Sequence, residues 1–213
     1  MTQKIVEMNN NPLSAKGYIQ RGNQHYTAQR YDDAIHDYTE AIRLNPQYAL
    51  AYYMRGRIYR QNKKDYDNAI ADLTKAIRFN PQYMDAYYNR GNAYYNKKDY
   101  DNAIADYNEA IRLNPQYMGA YYMRGLTYFD KGDYDRAITD LNKTIYLNPR
   151  FAVAYCYRGI VYYKKKDYDR AIADYTESIR LNPQEWVAHH NRGLAYHDKK
   201  DYDRAIADFT EAI

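Results

Sequence analysis

Cys156 and His190 are the side chains in this 213-residue sequence best placed to act as nucleophile and base. Each stands three residues before a glycine, Gly159 and Gly193, in corresponding stretches of sequence. A nucleophilic thiol needs a base within hydrogen-bond reach and usually a third group to orient that base. The sequence supplies no orienting group or oxyanion hole, so Cys156 reads as an inert cysteine. His189, His190 and His197 gather near Trp186, but His190 and His197 are seven residues apart. Metal-binding pairs on a helix sit three or four apart to share one ion, so no metal site is expected. Asn142-Lys143-Thr144 has the form of a glycosylation sequon but falls in a predicted helix. Phosphate-binding glycine loops, HExxH and GxSxG are absent. One cysteine excludes an internal disulfide framework and any CxxC site. The sequence predicts no catalysis and no cofactor.

What remains is the chemistry of contact. Thirty residues are Tyr, against four Phe and one Trp, so many packing surfaces carry a hydroxyl that needs a partner. Charged residues make up 27%, near the globular norm, and the net charge of +4 does not by itself imply nucleic acid. The longest apolar run, Phe151 to Tyr157, is far short of the roughly 20 residues that span a bilayer. MTQKIVEMNNNP at the start lacks the apolar run of a secretory signal, and a cytoplasmic chain without membrane insertion is expected.

The elements that position these side chains repeat. Asn-Pro recurs at Pro12, Pro46, Pro81, Pro115, Pro149 and Pro183, with Gly22, Gly56, Gly91, Gly125, Gly159 and Gly193 each ten residues later. The period is about 34, with one extra residue in RQNKKDY between Gly56 and Tyr66. Each unit reads as two antiparallel helices joined by a short turn. The second opens at DYD, with Asp67, Asp101, Asp135, Asp169 or Asp203 as the expected N-cap, and closes at Asn-Pro. Ala34, Ile35, Tyr38, Ala41 and Ile42 form its apolar stripe.

The pattern Tyr-x2-Arg-Gly-x2-Tyr, then Ala-x3-Tyr/Leu/Phe, Ala and Pro, resembles the tetratricopeptide repeat from Ala15 to Ile213. Two departures are systematic: the family's usual Trp is Tyr (His189 in the last unit), and its usual Leu before the glycine is Arg. The resemblance implies an all-α, right-handed superhelical solenoid of helix pairs whose first helices line a concave groove for peptides or partner proteins. The expected organisation is 1–14 as an extension or eroded repeat, then repeats at 15–48, 49–83, 84–117, 118–151, 152–185 and an incomplete 186–213. The expected function is a non-catalytic protein-interaction scaffold. The alternatives are an RNA-binding helical-repeat protein, or an interaction domain cut from a larger enzyme or assembly factor.

Comparison of the copies separates packing from recognition. Tyr four before and three after the glycine is nearly constant (Tyr52, Tyr59, Tyr87, Tyr94, Tyr121, Tyr128) and is assigned to the helix–helix interface. Another face of the first helices varies, and the resemblance makes it the groove. Its expected binding residues are Tyr53, Arg57, Arg60, Tyr88, Asn89, Asn92, Tyr95, Asn96, Tyr122, Leu126, Phe129, Tyr157, Ile160 and Tyr163. Lys16, Arg57, Arg60 and Lys164 stand there against Asp85, Asp130 and Asp198, too balanced for a phosphate track, so nucleic acid is disfavoured. Co-chaperone members of the family clamp a terminal carboxylate with Lys and Asn. Here Asn23 and Asn92 match the Asn, but Ile19 and Tyr88 stand where the Lys belongs.

The arginine before each glycine has a partner at a fixed offset. Antiparallel helices bring Arg21, Arg55, Arg90, Arg124, Arg158 and Arg192 level with Asp37, Asp72, Asp106, Asp140, Asp174 and Asp208, which predicts structural pairs. Solenoids need polar caps, and this chain stops at Ile213 inside a second helix. The expectation is a fragment of a longer array, or end-to-end stacking through Ala205, Ile206, Phe209 and Ile213.

Overall fold

The computed structural model describes residues 13–212, which contain helices and no strands. Residues 1–12, most of the expected extension, and Ile213 lie outside the described residues. First helices are α1 (Ala15–Thr27), α3 (Ala49–Ile58), α5 (Met84–Asn96), α7 (Met118–Asp130), α9 (Ala152–Lys164) and α11 (Trp186–Asp198). They alternate with second helices α2 (Tyr31–Leu44), α4 (Tyr66–Phe79), α6 (Tyr100–Leu113), α8 (Tyr134–Leu147), α10 (Tyr168–Leu181) and α12 (Tyr202–Glu211). Contacts group the chain into two compact units, one ending at Lys98 with α1–α5 and one starting at Asp99 with α6–α12. Within each, a helix packs on its chain neighbours, α1 on α2 and α3 on α4, or α7 on α8 and α9 on α10.

The N-caps lie two residues earlier than the sequence reading placed them. Asp65, Asp99, Asp133, Asp167 and Asp201 hold the cap, each accepting from the backbone N–H three residues on. The capping residue must be the last non-helical one, and the Tyr between the two aspartates is already helical. The second aspartate therefore sits inside the first turn, where a negative charge suits the helix dipole. From there it pairs with a lysine of the following repeat: Lys97–Asp67, Lys131–Asp101, Lys165–Asp135 and Lys199–Asp169, and Lys63–Asp32 at 2.6 Å. The sequence reading missed this series, whose only signal is a separation of 30 residues, or 31 across the insertion.

The extra residue of the second repeat is absorbed locally. Tyr59–Lys63 forms a π-helical turn at the end of α3, and the Asp65 N–H reaches back to the Tyr59 carbonyl at 2.9 Å. In an unexpanded repeat the same bond spans one residue fewer, as from Asp133 to Tyr128 at 2.9 Å. A π-turn widens the helix by one residue without breaking its ladder.

Second helices bury an alanine-rich stripe around one large residue: Ala34, Tyr38 and Ala41 are fully buried, as are Ala137 and Leu141. That residue lies against the first-helix glycine. A Cβ on Gly22, Gly159 or Gly193 would stand 2.6, 2.7 or 2.7 Å from the ring of Tyr38, Tyr175 or Phe209. On Gly125 it would stand 3.3 Å from the nearest atoms of Asp140 and Leu141. The glycine is thus a close-approach position, tightest where the partner is aromatic.

Five of the arginines before a glycine make a two-pronged bond to their own second helix. Nε and Nη2 of Arg21, Arg55, Arg124, Arg158 and Arg192 donate to Asp37, Asp72, Asp140, Asp174 and Asp208 at 2.5–2.9 Å. The free prong, Nη1, reaches the second helix of the preceding repeat: Arg55 to Thr39 at 2.8 Å, Arg90 to Thr74 at 3.0 Å, Arg158 to Asn142 at 2.6 Å. Arg124 and Arg192 do the same with Asn108 and Thr176. Burial pushes the Asp140 and Asp174 carboxyls above their usual range, while the guanidinium hydrogen bonds pull the other way.

Two stability outcomes follow. Gly159→Ala, which overpacks the Tyr175 ring, should lose about 1–3 kcal/mol in urea unfolding, whereas Gly125→Ala should lose far less because alanine regains helix propensity. Equal losses would refute the close-approach account. Asp174→Ala should cost about 3 kcal/mol by stranding the Arg158 guanidinium, and the double change Arg158→Leu/Asp174→Leu should cost less than that single one.

Candidate functional site

The variable face of the first helices is made of partly exposed rings set in fixed surroundings. Four residues after the glycine, Tyr26, Phe129, Tyr163 and His197 each pack on the aromatic that opens their own second helix. The partners are Tyr31, Tyr134, Tyr168 and Tyr202, with ring centroids 5.5–6.0 Å apart. These contacts hold each ring at one angle while leaving an edge open. Tyr163 also donates its hydroxyl to Asp198 at 2.7 Å, which pushes its pKa up to about 12. In the first unit Tyr88 and Tyr95 are half-buried. In the second Tyr122, Phe129, Tyr157, Ile160 and Tyr163 are half-buried.

Other expected groove residues turn inward. Asn89 and Asn92 are only 6% and 5% exposed, so they are not free to read a ligand backbone. The Asn89 amide donates to the Asp85 carbonyl at 2.7 Å and its oxygen accepts from Arg60 Nε at 3.1 Å. Asn96 is exposed, yet it donates to the Asn92 carbonyl at 2.7 Å and accepts from Tyr66 at 3.4 Å. Tyr53 is buried against Tyr83, centroids 4.6 Å apart, and Leu126 is buried as well. Arg57 lies over the Tyr26 and Tyr53 rings at 4.6 and 5.9 Å. For Tyr53, Arg57, Asn89 and Asn96 the cause is a neighbouring repeat, whose Tyr83, Tyr26, Arg60 and Tyr66 lie against them.

The constant tyrosines serve the arginines. Arg21, Arg55, Arg90, Arg124 and Arg158 each lie over the ring three residues before them, at 5.2–6.0 Å. Hydroxyls of Tyr52 and Tyr155 donate to the carbonyls of Pro46 and Pro149, both at 3.3 Å. His189 takes that role in the last repeat, its Nε2 lying 3.2 Å from the Pro183 carbonyl.

Cys156 and His190 do not meet as nucleophile and base. Cys156 is buried, and burial pushes its thiol up to about 12. His190 is exposed and packs its ring on Phe209 of its own repeat, centroids 5.6 Å apart. The expected end face is not one surface either, since Ala205 is buried, Phe209 lies behind Gly193, and Ile206 is exposed. Among the described residues no cluster of His, Cys, Asp and Glu is set to hold a metal, and no helix is long and apolar enough to cross a membrane.

Family profiles described as "Tetratricopeptide repeat" match residues 19–83, 85–117, 106–139, 152–185 and 186–213, and one described as "TPR repeat" matches 125–166. No curated protein matches the chain in sequence. Among solved structures, MamA is 30% identical over 74% of this chain and 91% of its own, with a TM-score of 0.70. YrrB, described as a TPR protein with an unusual peptide-binding site, is 23% identical over 83% and 90%, with a TM-score of 0.69. A tetratricopeptide repeat protein from Parabacteroides merdae is 24% identical over 92% and 79%, with a TM-score of 0.78.

The thiol gives a direct check on this face. A thiolate is the reactive form, and a buried thiol with a raised pKa supplies almost none. Cys156 should resist a disulfide-exchange reagent in the folded protein at pH 8 and react stoichiometrically once denatured. Rapid labelling of the native state would show that α9 opens far more readily than its burial implies.

Proposed function

The chain belongs to the tetratricopeptide repeat family, and on that premise we propose that its first-helix face binds an extended or helical segment of a partner protein. The fold is an all-α helical-repeat solenoid, and such repeats generally serve as non-catalytic interaction scaffolds. The observation that carries the finer reading is the half-buried rings that each unit presents on its first helices. Tyr88 and Tyr95 in the first unit, and Tyr122, Phe129, Tyr157 and Tyr163 in the second, offer amphipathic area at little side-chain entropy cost. Tyr122, Phe129, Tyr157 and Tyr163 are held by neighbouring rings, so little ordering is left to be done there on binding. The peptide-binding site named for YrrB supports the same choice of partner.

The charges favour a protein over a nucleic acid. Of the first unit's three cations on this face, Arg57 stacks on two tyrosines and Arg60 bonds Asn89, which leaves Lys16 as the exposed one. In the second, Lys164 stands with Asp130 and Asp198. A phosphate track needs free cations in sequence along the face. We therefore read the chain as a non-catalytic peptide-binding scaffold.

The test is selection of dodecapeptides from a random display library, followed by calorimetry on a selected peptide. Tyr88→Ala, Tyr95→Ala, Tyr122→Ala and Phe129→Ala should each leave the fold intact. Those that touch the peptide should lose on the order of 1–2 kcal/mol of binding, about five- to thirtyfold. Unchanged affinity in all of them places the binding surface elsewhere. Tight, steeply salt-dependent binding of a labelled oligouridylate would favour RNA instead.

A further inference from the structure

One junction between repeats lacks the ring that fills three others. Eight residues before the glycine the chain carries Tyr48, Tyr83, Tyr117, Phe151 and then Glu185, and Tyr48, Tyr83, Phe151 and Glu185 hold the N-cap position of α3, α5, α9 and α11. The ring at this position leans on the residue three before the glycine of the preceding repeat. Tyr83 packs on Tyr53 at 4.6 Å, Phe151 meets Tyr122 edge-on at 5.3 Å, and Tyr48 joins the cluster around Ile19. Between α9 and α11 the two places hold Cys156 and Glu185.

Both members of the stacked pair are thus replaced by side chains without rings. A cavity of about 210 Å³ opens there, lined by Val153, Cys156, Tyr157, Ile160, Glu185 and Val187. Val153, Cys156, Tyr157 and Ile160 stand at i, i+3, i+4 and i+7 and form one stripe of α9, on its first-helix face. An apolar cavity of about 150 Å³ suffices to take up benzene, so this one has room for a phenyl ring.

The wall that is not apolar is acidic. Glu185 accepts from the Asn182 amide at 3.2 Å and has no cation in ion-pair range among the described residues. Its side chain makes no capping hydrogen bond, so helix capping does not account for it. A carboxylate at a helix start is favourable in itself, but that does not explain the loss of the opposing ring at Cys156. At the far end of α11, Asp198 adds a second negative charge on the same side, beside the Tyr163 hydroxyl.

The geometry points to a subsite between α9 and α11 for an aromatic side chain flanked by a lysine or arginine in a partner protein, the ring in the cavity and the cation on Glu185. This rests on the first-helix face being the peptide-binding face. It adds which residue pair the segment carries and where that pair docks.

The probe is phenethylamine, a ring with a cation two carbons away, compared with 3-phenylpropionate, a ring with an anion. Methyl NMR of the full chain should show saturable shifts at Val153, Ile160 and Val187 with phenethylamine, which should bind at least threefold more tightly than 3-phenylpropionate. Glu185→Gln should abolish the preference while keeping ring binding. Glu185→Phe, which restores the ring of the other junctions, should block the probe and raise the melting temperature. Absence of shifts at those methyls, equal affinity for the two probes, or an unchanged preference in Glu185→Gln overturns the proposal. Shifts of the same methyls on concentrating the protein alone would assign the cavity to a second copy and also overturn it. Probe binding as expected, beside selected peptides indifferent to Tyr88→Ala, Tyr95→Ala, Tyr122→Ala and Phe129→Ala alike, would mean that the peptide-binding reading has failed. The protein-segment assignment would then fall, leaving a small-amine pocket.

Discussion

The guanidinium before the glycine ties together groups of two repeats in Arg55, Arg124, Arg158 and Arg192. Arg158 takes the Asp174 carboxylate with two prongs, reaches Asn142 of the preceding repeat with a third, and lies over the Tyr155 ring. Its planar fork fixes rotation and translation of the paired helices together, which a point charge such as lysine could not do. The glycine beside it sets the separation, and the arginine sets the register. Where the family has a leucine here, this chain uses a polar anchor, and the half-buried pair is tolerated because both oxygens and the guanidinium donors find partners.

The abundance of tyrosine follows from that choice. A buried polar anchor needs a neighbour that excludes water without leaving a hydroxyl unpaired. The tyrosine three residues before the arginine offers its face to the guanidinium and, at Tyr52 and Tyr155, its hydroxyl to the backbone of the Asn-Pro turn. Tyr38 uses the same dual nature in the core, its ring filling the glycine notch while its hydroxyl donates to Asn23 at 2.8 Å.

Features that recur inside one repeat were legible in the sequence, and features that need two repeats were not. The helix pairs, the glycine notch and the Arg–Asp offset all follow from one unit folding back on itself. The burial of Asn89 and Tyr53 does not, because Arg60 and Tyr83, which cover them, come from an adjacent repeat. The cap shifted by two residues for a different reason: DYD offers two aspartates, and only helix geometry says which one precedes the first turn. The α9–α11 cavity was hidden because it arises from a coincidence between Cys156, weighed only as a nucleophile, and Glu185, which drew no notice.

The π-turn at Tyr59–Lys63 has a consequence for how such arrays are assembled. Arg55 and Asp72 are separated by one residue more than their counterparts and still form the same two-pronged bond, and Lys63 still reaches Asp32. A length change confined to the end of a first helix therefore leaves no phase error for the next module to inherit. Units of either length can be duplicated, deleted or shuffled by recombination without disturbing their neighbours, which makes that turn a natural joint for the growth of the array.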